Sequence, residues 1–304
     1  MLRRLQICGG RVTEADAQNG QIIVVVSPDE AEKKYLVDEL KIDEHTLASA
    51  MDPDEVSRIE YEPEHVALIL KRPKNYSSED NFLFKVSSLG FFLFKDRLVV
   101  AMAEDVPLFE GKSFLKLGSV QDVALKLIYR TIFHFLEHLK VINAITDSLE
   151  HKISQSMENR YLLNLFTLEK SLVYYLNALN GNGVVIEKLK NNAAKMGFSP
   201  ENVEFLDDVV IENNQCYKQA EIYSNILAGL MDARASIVNN NLNLLIKTLN
   251  IITIGIMVPT LVVSAFSMNV DIPLAHHRYA FWIIMGFALL SVMGFMLFWR
   301  RKKW

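Results

Sequence analysis

The 304-residue sequence has only two cysteines, Cys8 and Cys216, far apart and outside any CxxC pair. No disulfide framework can be argued from them, and two inert thiols in a reducing cytosol are expected. The opening MLRRLQICGG is not followed by the continuous apolar stretch of a signal peptide, so the bulk of the chain is expected to stay in the cytoplasm. No Ser/His/Asp or Cys/His arrangement suggests a nucleophilic enzyme, and no basic patch interleaved with aromatics suggests a nucleic-acid partner. The net charge is −4, and residues Asp29 to Glu64 hold thirteen acids against four Lys or Arg. Such a face repels nucleic acid and draws cations.

Long apolar runs, in contrast, are present. From Leu244 to Phe266 the only charge is Lys247, and from Tyr279 to Trp299 there is none. Each reaches the roughly 20 residues a helix needs to cross about 30 Å of hydrocarbon. The cationic end Arg300-Arg301-Lys302-Lys303-Trp304 is expected on the cytoplasmic side. Two spans then form a hairpin in the inner (plasma) membrane with both termini cytoplasmic.

Ahead of the spans, Gln21 to Val26 reads as a buried strand closed by Ser27-Pro28, and the first domain is expected to open there. Glu30 to Met51 predicts one or two short helices and Val66 to Leu70 another strand. NFLFKVSSLGFFLFKDRLVVAM predicts a meander of three short strands, with Ser-Ser-Leu-Gly and Lys-Asp as turns. From Ser119 a 3.6-residue apolar period predicts one long amphipathic helix. A second helix is expected from Arg160 to about Leu179, stopped by Asn180-Gly181-Asn182-Gly183. A third starts at Ser199-Pro200 and meets no proline until Pro259. Unbroken to about Phe266, it would be on the order of 100 Å long.

The expected architecture is an α/β cytoplasmic domain (1–120), a helical domain and stalk (121–243), a first transmembrane helix (244–266), an extracytoplasmic loop (267–278), a second transmembrane helix (279–299) and a basic tail (300–304).

Within the first span Asn243, Ile246, Asn250, Thr253, Met257, Thr260 and Ser264 recur at steps of three or four, one stripe on a helix. Ile251, Ile252, Ile254, Val258, Leu261 and Val262 lie mostly off it and are expected to face lipid. A polar stripe in hydrocarbon must meet another helix or water. Thr and Ser are expected to re-satisfy the carbonyl freed by Pro259. Two helices cannot enclose a channel, so a pore would need several copies around an axis.

Gly229-Leu230-Met231-Asp232, Asn243, Met257 with Pro259-Thr260-Leu261, the tripeptide Ser267-Met268-Asn269, a short loop, a second span and RRKKW together resemble the CorA family of magnesium channels, whose hallmark tripeptide is Gly-Met-Asn. SLGFFLFKDRLVVAM is similar to the family's central hairpin, and Leu206-Asp207-Asp208-Val209 to its stalk-helix acidic site. The resemblance implies a funnel-shaped homopentamer in the lipid bilayer that passively conducts divalent cations, Mg2+ first and Co2+ or Ni2+ as alternatives, with metal-sensitive gating. It implies no organic cofactor.

Carried over position by position, it puts a selectivity filter on Ser267, Met268 and Asn269, and constrictions on Leu249 and Met257. Asn243, Thr253, Thr260 and Ser264 become polar pore rungs, and Ile246 an apolar one. Asp208 becomes a regulatory metal ligand, completed by an acid from a neighbouring domain.

The sequence departs from the family at Ser267, where glycine is usual, and at Phe266, where tyrosine is. A glycine used for positive φ or close packing would make Ser267 a strained position. The outer loop lacks Met-Pro-Glu-Leu and offers Asp271 with His276 and His277, imidazoles that suit zinc, cobalt or nickel. A zinc-type relative and a non-conducting receptor or scaffold of the same fold stay open as alternatives.

His134-Phe135-Leu136-Glu137-His138 matches the HxxEH pattern of zinc peptidases but sits in ordinary amphipathic helix and reads as packing. Gly111-Lys112-Ser113 resembles a P-loop tail but has Val106 where the first glycine is needed, and reads as a turn.

Overall fold

The computed structural model describes residues 1–15, 20–110, 114–155, 159–270 and 277–301, so the Gly111-Lys112-Ser113 segment lies outside the described residues. The chain divides into two compact units, Met1–Met231 and Asp232–Trp304.

In the first unit, β1 (Leu2–Cys8), β2 (Arg11–Glu14), β3 (Ile22–Val26), β4 (Arg58–Tyr61), β5 (His65–Pro73), β6 (Val86–Phe94) and β7 (Leu98–Met102) form one sheet in the order β2-β1-β3-β7-β6-β5-β4. β3 and β7 run parallel; every other pair is antiparallel. The IIVVV run of β3 is buried at every position, as a strand covered on both faces must be. β1 and β2 precede the expected start of the domain. LRRLQIC has no apolar run to announce it, and it pairs through a turn in which Gly9 and Gly10 both take positive φ, at 59° and 75°.

The two faces of the sheet feed two cores. Ile23, Val25, Ala67, Ile69 and Phe92 pack on Leu36, Leu47 and Ala50. These last come from Tyr35–Glu39, the π-helical continuation of α1 (Glu30–Lys34), from α2 (Glu44–Ser49) and from its C-cap Ala50. Both short helices are capped by aspartate: Asp29 accepts from the Glu32 N–H and Asp43 from the Thr46 N–H, each at 2.8 Å. The opposite face, with Val24, Leu68, Leu70, Phe91 and Val100, joins the larger core. That core is completed by α3 (Val120–Gln155), α4 (Asn159–Asn192) and the first part of α5 (Pro200–Ala265). Helices on both faces of a mixed sheet make this an α/β unit.

Two expected breaks are instead interior positions. Ser87-Ser88-Leu89-Gly90 is no turn: it lies within β6, paired with Ile69 to Arg72 of β5. Gly90 is there because a Cβ would stand 2.4 Å from the Ala50 Cβ of α2. Asn180-Gly181-Asn182-Gly183 likewise does not stop α4. Asn182 is buried, and its amide accepts from the Lys71 N–H at 2.8 Å and donates to the Lys71 carbonyl at 2.7 Å. Lys71 lies two residues past Ile69, where β4 pairing ends, so the side chain replaces a missing strand. Gly181 leaves room for Ser57, whose Cβ would be 3.1 Å from an added Cβ, and Gly183 for the Asn213 amide.

The HxxEH residues also diverge. His138 Nδ1 lies 2.6 Å from the Tyr175 hydroxyl of α4, the His134 ring packs against His138, and Glu137 turns toward Arg130. No metal-binding point is shared. Burial lowers both imidazoles to about 4, helped at His134 by the Arg72 and Arg130 charges and at His138 by His134.

Gly90→Ala should lower the thermal transition of the detergent-solubilised protein, by about 1–3 kcal/mol of overpacking, and Ala50→Gly in the same chain should restore much of it. The imidazoles are neutral when folded but protonate near 6.5 when unfolded. Their contribution is therefore complete above pH ~6.5 and lost as pH falls toward ~4. His138→Gln should make the decline of the transition temperature over that window shallower than in wild type.

Candidate functional site

α5 begins where Ser199 accepts from the Asn202 N–H at 3.2 Å and runs 66 residues to Ala265. Its first part belongs to the α/β unit, burying Leu206, Val209, Cys216, Ala220 and Leu227. Its last part and α6 (Ala280–Arg301) belong to the second unit, and both are long and apolar enough to cross a membrane. Leu261 and Trp282 are each 72% exposed. That degree of bare apolar surface suits lipid as the solvent.

The seven stripe residues Asn243, Ile246, Asn250, Thr253, Met257, Thr260 and Ser264 are all exposed, as is Leu249. Ile251, Gly255, Val258, Pro259, Val262 and Phe266 are half-buried instead. Two of these meet α6: a Cβ on Gly255 would lie 3.6 Å from Phe295, and the Phe266 ring stacks on Phe287 at 6.3 Å. At about 100° per residue the centres of the two sets lie roughly 150° apart around α5. The polar stripe thus points away from α6, with Thr260 and Ser264 also rimming the cleft beside Met285 and Ala288. Ile251, Val258 and Val262, expected to face lipid, lie on the half-buried side; Ile252, Ile254 and Leu261 are exposed. The apolar sequence alone could not say which of its faces α6 would cover.

The hydroxyls of this stretch bond within the helix. Thr253 donates to the Leu249 carbonyl at 2.8 Å and Thr260 to Ile256 at 2.7 Å. Neither reaches the Gly255 carbonyl that Pro259 deprives of a donor, so the expected local repair is not made by those threonines.

α5 ends at the tripeptide. Ser267 bonds the Ser264 carbonyl twice, through its N–H at 3.1 Å and its hydroxyl at 2.9 Å. Among the described residues positive φ outside glycine occurs at Ser27, Lys41, Asn81, Phe82 and Lys116, and not at Ser267. The serine therefore caps the helix without the strain expected of a glycine replacement. Met268 and Asn269 follow, both exposed. Asp271 and His276 lie outside the described residues. His277 precedes α6, its Nδ1 accepting from the Tyr279 N–H at 3.3 Å and its carbonyl from the Ala280 N–H at 3.0 Å.

On the first part of α5 the adjacent acids differ. Asp207 pairs with Lys190 of α4, whereas Asp208 is exposed and without a hydrogen bond or ion pair among the described residues. No group of three His, Cys, Asp or Glu among the described residues could hold a metal. A metal at Asp208 would need donors from outside this set.

The CorA-like Mg2+ transporter family model matches residues 18–302. The chain is 24% identical over 288 residues to a cobalt/magnesium transport protein CorA of Methanocaldococcus jannaschii, covering 91% of this chain and 89% of that one. It is 22% identical over 167 residues to a protein of the same name from Thermotoga maritima, covering 55% and 47%. In fold it is similar to the complete structure of the CorA magnesium transporter from M. jannaschii, with TM-score 0.84 at 20% identity over 100% of this chain and 98% of that one. The full-length CmaX protein is also similar, with TM-score 0.76 at 14% identity over 100% and 97%. The CorA relatives are named as transport proteins, not enzymes. A match from residue 18 to residue 302, carried by an α/β unit, one long helix and two C-terminal apolar helices, makes this chain a member of the CorA-like Mg2+ transporter family.

Proposed function

We propose that the chain is a passive divalent-cation channel, with Mg2+ as principal cargo and Co2+ or Ni2+ as alternatives, formed by a homopentamer in the plasma membrane. The observation that carries this reading is the exposed stripe on α5, turned away from α6 and leading to an exposed amide at Asn269. A stripe that α6 does not cover finds its partners around an axis shared by several copies. Asn243, Thr253, Thr260 and Ser264 then line a pore as polar rungs, and Ile246, Leu249 and Met257 form apolar rings that close by dewetting.

At the outer end a ring of Asn269 carbonyls, spaced by Ser267 and Met268, accepts hydrogen bonds from the waters of an incoming ion. Mg2+ dehydrates reluctantly, so neutral acceptors hold its hydration shell without trapping it. Because Ser267 caps α5 at ordinary φ, its hydroxyl does not compete for that role.

Exposed, unpaired Asp208 is the regulatory ligand in this reading. A metal shared with an acid of a neighbouring copy holds the ring closed, and loss of metal leaves carboxylates repelling. For the zinc-type alternative His277 offers only Nε2, since its Nδ1 accepts from the Tyr279 N–H ahead of α6.

Uptake of Mg2+ into liposomes carrying the purified protein is expected, with Asn269→Ala lowering it by at least about tenfold, or ~1.4 kcal/mol. Ser267→Gly is expected to change it by less than about threefold, because no strain is relieved. Zinc uptake driven by a proton gradient would favour the alternative, and no divalent uptake at all would favour a non-conducting receptor. Asp208→Ala should leave uptake intact while removing its inhibition by internal Mg2+.

A further inference from the structure

Arg72, near the end of β5, points with Leu68 and Leu70 toward the α3 face of the sheet. Its side chain is only 5% exposed. Nη1 donates to the Pro73 carbonyl at 3.1 Å, but Nε and Nη2 are sealed from solvent and have no hydrogen-bond partner among the described residues. Those two nitrogens are the side-on edge of the guanidinium, the fork that takes two oxygens of one anion. Leaving both donors unmade in a buried cation is costly, so a small turn of the side chain that brings this edge onto an anion would be favourable.

The nearest carboxylate does not fill it. Glu104 Oε2 is 3.9 Å from Nη2, beyond a hydrogen bond, while Oε1 is held by Lys74 Nζ at 2.5 Å.

Arg72 lines a cavity of about 150 Å³ together with Asn75, Arg130, Thr131, His134 and Glu137. Arg130 and Glu137 are each 44% exposed and stand 3.8 Å apart, a loose pair that leaves Arg130 able to turn inward. The two arginines also help keep His134 neutral, so it is available as a hydrogen-bonding group and not as a third charge. Drug-sized ligands need about 300–1,000 Å³. This cavity suits a bare anion and excludes a nucleotide. None of the pore or filter residues takes part in it.

We propose that this cavity between β5 and α3 binds a small phosphate-type oxyanion, toward which Arg72 turns its Nε/Nη2 edge and over which Arg130 closes. A bound anion would satisfy the buried guanidinium and tie the sheet to α3.

The test is calorimetric titration of the full chain in detergent with inorganic phosphate, in Mg2+-free buffer at fixed ionic strength, with chloride as the control. Saturable binding of phosphate and none of chloride is expected. Arg130→Gln should weaken it about tenfold. Arg72→Lys, which keeps the charge and loses the fork, should weaken it at least as much. Glu104→Gln, which removes the nearest competing carboxylate, should strengthen it several-fold.

Glycerol phosphate in place of phosphate identifies the source. Equal binding means a phosphoryl group carried on a larger molecule is accepted, and weaker binding means the free ion. Absence of saturable phosphate binding in both wild type and Glu104→Gln, or equal affinity in wild type and Arg130→Gln, would overturn the proposal. Those two surface variants decide it even if Arg72→Lys fails to fold.

Discussion

Hydrocarbon offers no hydrogen bonds, and the second unit is arranged around that fact. From Asn250 to Ala265 α5 carries an amide, two threonines and a serine in a segment that is otherwise apolar. Such groups must be covered by helix or wetted by water. α6 covers the side with Gly255 and Phe266 and leaves most of the polar stripe bare, with Thr260 and Ser264 at the rim of the cleft beside it. The threonine hydroxyls at 253 and 260 bond their own helix, which reduces the cost of exposing them while keeping an oxygen on the surface. The ion path proposed between several copies of the chain would use both features.

The same accounting of polar groups shapes the α/β unit, with different means. Where β4 pairing gives out, the amide of Asn182 takes over the Lys71 N–H and carbonyl from inside a helix. Small residues make that approach feasible, Gly181 beside Ser57 and Gly90 beside Ala50. Buried cations are handled unequally. Lys71 Nζ bonds the Pro53 carbonyl and the Ser88 hydroxyl, each at 2.8 Å, while Arg72 on the opposite face keeps two nitrogens without partners. Among the described residues, neighbours on one strand thus differ: one buried charge is satisfied and the next is not.

Much of the architecture was legible because its signals are local. Hydrophobic length marks α6, the absence of proline between Pro200 and Pro259 marks α5, and the β-branched run marks β3. Legibility failed where a local signal had a distant cause. The glycines and asparagines of 180–183 read as a stop, and Ser87 to Gly90 as a turn, because both motifs commonly end elements. Here each accommodates a neighbour remote in sequence. β1 was missed for the opposite reason: as a half-buried strand near the sheet edge it needs no apolar run. Ser267 looked strained only against a family pattern, and its bonds to Ser264 show an ordinary helix cap.

By itself the sequence determined the order of elements, the two apolar helices and the spacing of the stripe, since periodicity and hydropathy are properties of short segments. Tertiary structure decided which side of α5 meets α6, that Asn182 serves a strand 111 positions away, and that the Arg72 fork lies buried with no partner among the described residues. Each of these depends on which groups stand within a few ångströms, and only the folded chain brings them together.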